Sequence, residues 1–94
     1  VVDLAYVRLL RVVETLLLVA EGRNRVMLVA EWFDVSRPTA HSYLQQLRNA
    51  GLVEKAPKRG KAQPYRLTEA GVSLLWSVLH DLDDLKARIR EVMT

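Results

Sequence analysis

Two residues constrain this chain more than any others: Asp34 and Val35, the only link between two segments that both read as helix. Ahead of the link, residues Arg25 to Phe33 carry Val26, Leu28, Val29, Trp32 and Phe33 at spacings that predict an inward apolar face. Asn24, in the turn "EGRN", stands where a side chain can cap that helix. After the link, Ser36 is a good N-cap, and Pro38 fits a first turn where no intrahelical N–H bond is lost. Ala40, Leu44 and Leu47 make a buried stripe with Tyr43 at its edge, and Gly51 supplies a left-handed stop. Two helices joined this tightly make a helix-turn-helix.

The flanking segments complete a small architecture. Residues 3 to 21 read as a helix in which Leu9, Val13, Leu16 and Ala20 are widened by Leu10, Leu17, Leu18 and Val19, with Arg8, Arg11 and Thr15 marking the polar side. A helix so apolar needs cover on more than one face, and another subunit is the expected second cover. Beyond Gly51, Leu52, Val53 and Glu54 predict a short strand that Pro57 stops. "KRGKAQP" has the polarity and the glycine of a hairpin tip, and Tyr65-Arg66-Leu67 returns with Tyr65 and Leu67 on one side. Thr68 then caps a last helix running to about Val92. The expected fold is mainly α with a small β-hairpin (α+β), a single domain over residues 1–94 in which 72–93 form a coiled-coil-like dimerisation helix.

Composition bounds the chemistry. Ninety-four residues, half of them hydrophobic and 27% charged, are enough for one core. Cysteine is absent, which removes disulfides and thiolate metal sites. Asp3, Arg8, Arg11 and Glu14 interrupt the apolar start, so it reads neither as a membrane span nor as a secretory signal. A cytoplasmic, nucleoid-associated location is the expectation. Net charge is +3, but it is unevenly spread. Between Val35 and Thr68, Arg37, Arg48, Lys55, Lys58, Arg59, Lys61 and Arg66 face a lone Glu54, while the remainder of the chain holds more acid than base. Such asymmetry predicts a polyanion on one face, most often nucleic acid.

The segments "VSRPTAHSYLQQLRNAGLVEK" and "RGKAQPYRLTEAG" resemble the recognition helix, wing and post-wing helix start of MarR-like and PadR-like transcription regulators. The resemblance spans about residues 24 to 75 and implies a winged helix-turn-helix that binds DNA. The residues themselves agree. With Ala40, Leu44 and Leu47 inward, the outward side carries Thr39, His41, Ser42, Gln45 and Gln46, with Ser36 and Arg37 at its entry. Such groups reach base edges in a major groove, where Gln pairs with adenine and Arg with guanine. Lys58, Arg59 and Lys61 suit a wing on the phosphate backbone or in the minor groove, with Lys55 and Arg66 adding to the patch. The plainer alternative is a solvated helix face beside an ordinary basic hairpin.

The last helix holds Leu75, Val78, Leu82, Leu85, Ile89 and Val92 at alternating spacings of three and four, an a/d seam that wants a partner helix. Val72, Leu74, Trp76 and Leu79 are expected to pack on the chain's own domain, and Trp32 and Trp76 to fill core or interface. The competing picture is a single helix folded back on its own core. His80, Asp83 and Asp84 make an incomplete ligand set, so no metal and no cofactor are expected, and no nucleophile–base arrangement indicates an enzyme. The reading is a homodimeric, sequence-specific double-stranded DNA-binding regulator, with any small-molecule effector placed between the first helix and the dimer helices. Its rivals are a protein-interaction module of a larger assembly and a DNA-coating protein without sequence preference.

Overall fold

The computed structural model describes residues 4–94, with side-chain surroundings from Arg8 onward; the expected helix start at Asp3 lies outside these. The elements run α1 (Leu4–Ala20), α2 (Val26–Phe33), α3 (Arg37–Asn49), β1 (Val53–Lys55), β2 (Tyr65–Leu67) and α4 (Glu69–Met93). The strands form one antiparallel pair with Val53 opposite Leu67, Glu54 opposite Arg66 and Lys55 opposite Tyr65. This is the winged-helix order that the sequence predicts.

Local backbone chemistry explains the joints. Asp34 takes the left-handed conformation (φ 54°), which Asp tolerates better than most residues, and Val35 N–H donates to Ala30 O at 3.0 Å. Ser36 Oγ then accepts from Thr39 N–H at 3.3 Å, as an N-cap should. At the other end of α3, Gly51 (φ 76°) donates to Arg48 O and Leu52 N–H donates to Leu47 O at 2.9 Å, a Schellman stop. That second bond explains why β1 begins at Val53 and not at Leu52: the Leu52 amide belongs to the helix cap.

The core joins α1, α2, α3 and the hairpin. Leu16, Leu18, Val19, Val29, Ala30, Ala40, Leu44, Leu47, Val53 and Tyr65 are buried. Burying a leucine such as Leu44 contributes about 1.5–3 kcal/mol, so the inward stripe of α3 anchors the helix and leaves its other side free.

Four expectations need correction. Asn24 does not cap α2; Arg25 occupies the N-cap without a side-chain bond. Asn24 instead ties α2's entry to the hairpin, its Nδ2 donating to Tyr65 O at 2.8 Å while Tyr65 N–H donates to Asn24 O at 2.9 Å. Trp32 is half exposed, with Val29 and Ala30 taking the inward positions, and its ring carries the Arg23 guanidinium at 4.7 Å.

The third correction concerns α1. Thr15, read as polar surface, is fully buried, with its hydroxyl donating to Arg11 O at 2.6 Å. A threonine that satisfies itself against its own helix can sit inside. The stripe of Arg8, Arg11 and Thr15 therefore runs from exposed Arg8 through half-buried Arg11 into the body at Thr15, and Leu9, Leu10 and Leu17 are left substantially exposed.

The fourth concerns the start of α4. Leu74 packs against the core as expected, whereas Val72, Trp76 and Leu79 stay exposed beside an open apolar trough shared with Val13, Leu17 and Leu82. Thr68 fixes the direction of α4, its hydroxyl accepting from Gly71 N–H at 3.2 Å and donating to Gly51 O at 2.6 Å. Twenty-five residues at ~1.5 Å each give a rod of about 37 Å. From Leu79 to its end every residue is exposed, so the rod projects and gives the molecule a long axis of 54 Å.

Candidate nucleic-acid interface

The anchoring of α3 decides which side chains it presents. His41, Ser42 and Gln46 are exposed, Gln45 and Thr39 are half-buried, and Ser36 and Arg37 are exposed at the entry. Ser36 Oγ and Thr39 Oγ1 lie 2.9 Å apart and share a hydrogen bond, so the entry hydroxyls are held in place by each other. Ser42 and Gln45 have no such tie and stand near the middle of the outward face. Asn49, seven residues after Ser42, continues the same line and is exposed. Sequence reasoning passed over it, although spacing alone reaches it.

The hairpin is built to hold a charged tip. Arg59 and Ala62 exchange backbone hydrogen bonds at 3.2 and 3.1 Å across Gly60, whose φ of 62° is the left-handed turn only glycine adopts freely. Behind the tip, Gln63 Nε2 donates to Ala56 O at 2.7 Å and to Pro64 O at 2.9 Å, closing the neck. Lys58, Arg59 and Lys61 are all exposed. Arg66 pairs with Glu54 at 2.8 Å across the strand register and still lines a cleft that Arg59 borders, beside the tip; Lys55 is exposed.

Wing and helix-turn-helix meet through a residue the sequence did not single out. Arg25, Arg37 and Lys61 line one groove with Met27 and Gln63, between the starts of α2 and α3 and the wing. Arg25 also lines an adjoining cleft with Asn24, Arg59 and Tyr65. No carboxylate lines either depression, and between them they hold Arg25, Arg37, Arg59, Lys61 and Arg66, with Arg37 at α3's N-terminus. Helix N-termini add exposed N–H groups that suit phosphate. The fold places Arg25 here by pinning Asn24 to β2.

A family model for the sugar-specific transcriptional regulator TrmB matches residues 13–70, which is more than half of the chain and holds the whole helix-turn-helix and wing. The chain belongs to the TrmB family. Its fold is the winged helix-turn-helix that the resemblance of the recognition segment implies, and its family is one of transcriptional regulators. Solved structures agree on the fold. MepR of Staphylococcus aureus, a transcription regulator of the multidrug efflux pump MepA, superposes with a TM-score of 0.73 at 18% identity, over 84% of this chain and 61% of that one. A mutant of MepR bound to an oligodeoxyribonucleotide gives the same TM-score at 15% identity, with the same coverage. The chain thus spans about three fifths of the length of these structures. No curated protein sequence matches it.

The second surface of this TrmB-family chain is apolar. Along the expected seam Leu75 and Val78 are half-buried, Leu82 and Leu85 are 47% and 48% exposed, and Ile89 and Val92 are more exposed still. His80, Asp83 and Asp84 point from the projecting rod, and among the described residues no three such side chains gather around one point. No helix among the described residues is long and apolar enough to cross a membrane.

Proposed function

We propose that the chain binds double-stranded DNA sequence-specifically as a homodimer, acting as a regulator and not as a catalyst. The observation that carries this reading is the outward face of α3, where His41, Ser42, Gln45 and Gln46 follow Arg37, beside the groove shared by Arg25, Arg37 and Lys61. Short donors and acceptors on a major-groove-sized rod read base edges; the cations beside them take phosphates. In this reading Ser42 and Gln45 lead base recognition, with Arg37, Thr39, His41, Gln46 and the capping Ser36 around them. Lys58, Arg59 and Lys61 hold the backbone from the wing. The DNA-bound relative of the same fold supports a duplex partner.

Dimerisation is the role of residues 72–93 together with the outer face of α1. The seam, half-buried at Leu75 and Val78 and exposed from Leu82 to Val92, runs into the apolar trough containing Leu17 and Trp76, so one continuous surface is available to a second copy. The trough is also where an apolar effector would sit.

Titration of a duplex with the chain at several salt concentrations tests the proposal. Binding that weakens steeply with salt, and a specific site preferred over random duplex by at least about a thousandfold, is the expected result. Salt-sensitive binding without preference would identify a DNA-coating protein, and no duplex binding would identify an interaction module.

A further inference from the structure

The inward stripe of α1 changes character along its length. At Thr15 and Val19 it is buried, but one and two turns earlier the same stripe carries Arg11 and Arg8. The opposite, outer face of α1 carries Leu10 and Leu17 with Glu14, so these arginines stand apart from the helix's solvent-facing acid. These two instead line an open groove between α1 and α3, together with Tyr43 and Gln46. Arg11 is fixed there: its guanidinium lies 4.3 Å from the centre of the Phe33 ring, and Phe33 in turn meets Tyr43 edge-on at 5.7 Å. Stacking uses the face of the guanidinium and leaves its in-plane N–H donors available. The ion pairs of the described residues are Arg23–Glu21 and Arg66–Glu54, so neither arginine is neutralised by a carboxylate among them.

The position of this groove says what it can hold. Arg37 borders the wing-side groove and Gln46 the α1-side groove. Nine residues at roughly 100° each put these two side chains about half a turn apart, on opposite flanks of α3. A helix seated in a major groove about 12 Å wide has a phosphate backbone along each flank. The wing accounts for one. We infer that Arg8 and Arg11 of α1 hold the other, so that α3 is clamped between two backbone contacts from opposite sides.

This rests on the DNA reading, and the experiment separates the two. Binding of the full chain to duplex DNA is measured against salt for wild type, Arg8→Ala and Arg8→Ala/Arg11→Ala, with phosphate-ethylation interference on both strands. The slope of log affinity against log salt should flatten by about 0.9 for the single variant and about 1.8 for the double. Interference should vanish at phosphates on one flank of the site while the wing's phosphates stay sensitive. Arg8 is exposed, so the single variant decides the matter if loss of the Arg11 stack unfolds the double. A wild type that binds DNA, with slope and interference unchanged in Arg8→Ala, overturns this inference alone. A wild type that does not bind overturns the DNA reading and this clamp with it.

Discussion

Ser42 and Gln45 differ from Lys58 and Arg59 in the kind of information they carry, and substitution should separate them. The wing cations stand on a tip fixed by Gly60 and Gln63 and meet a backbone that is the same for every sequence. Lys58→Ala/Arg59→Ala should weaken all duplexes similarly and flatten the salt slope by about 1.8, as salt-dependent titration of matched and random duplexes would read. Ser42→Ala/Gln45→Ala should leave that slope near its wild-type value and lower discrimination at the contacted bases by about 1–3 kcal/mol each. Unchanged base preference in that variant would mean that α3 lies on the backbone only. These candidates were legible because caps and stops are local chemistry: Ser36, Pro38 and Gly51 fix the ends of α3, and its stripe then fixes its face. Arg25 was not legible in the same way. It is brought to the interface by Asn24, whose partner Tyr65 lies 41 residues away, and no local pattern announces so distant a bond.

The elements appear in the predicted order, while the rotation of α1 about its axis does not follow from its pattern. An apolar stripe that nearly encircles a helix leaves periodicity nothing to choose with, and the burial of Thr15 is decided by packing and by its bond to Arg11 O. The joint between α3, β1 and α4 is tighter than the sequence suggests. Gly71 is the one buried residue of α4, and a Cβ there would run into the carbonyl oxygen of Leu52. That backbone is not free to move, because Leu52 O also accepts from Thr68 N–H at 3.1 Å and Leu52 N–H closes the α3 cap. Gly71→Ala, although favourable for helix propensity, should therefore destabilise by about 1–3 kcal/mol, which thermal or urea unfolding would register. An equal or higher stability would show that α4 can shift off the hairpin without cost.

Over the whole molecule, the densest basic patch and the apolar strip fall on different elements, although α4 also carries charges of both signs along its rod. The cations gather around α3 and the wing, and the exposed leucines, Trp76 and Ile89 lie along α1 and α4. The division was visible in part as the basic middle third of the chain and the heptad seam. Its extent was not, since the exposure of Leu9, Leu10 and Trp76 depends on which way α1 and α4 turn. A monomer would leave this strip in water, whereas pairing buries aliphatic side chains at about 1.5–3 kcal/mol each before association costs. Leu82→Asp/Leu85→Asp should separate the copies without touching α3, because both side chains lie on the projecting rod. The central claim, a dimer reading a specific sequence, is tested most directly by selecting bound sites from random duplex DNA with the wild type and with this variant. The account predicts that the wild type enriches two related half-sites with centres about one helical turn, or a multiple of it, apart, and the variant at most a single weak half-site. No enriched sequence for the wild type, or the same paired site for both proteins, would contradict it.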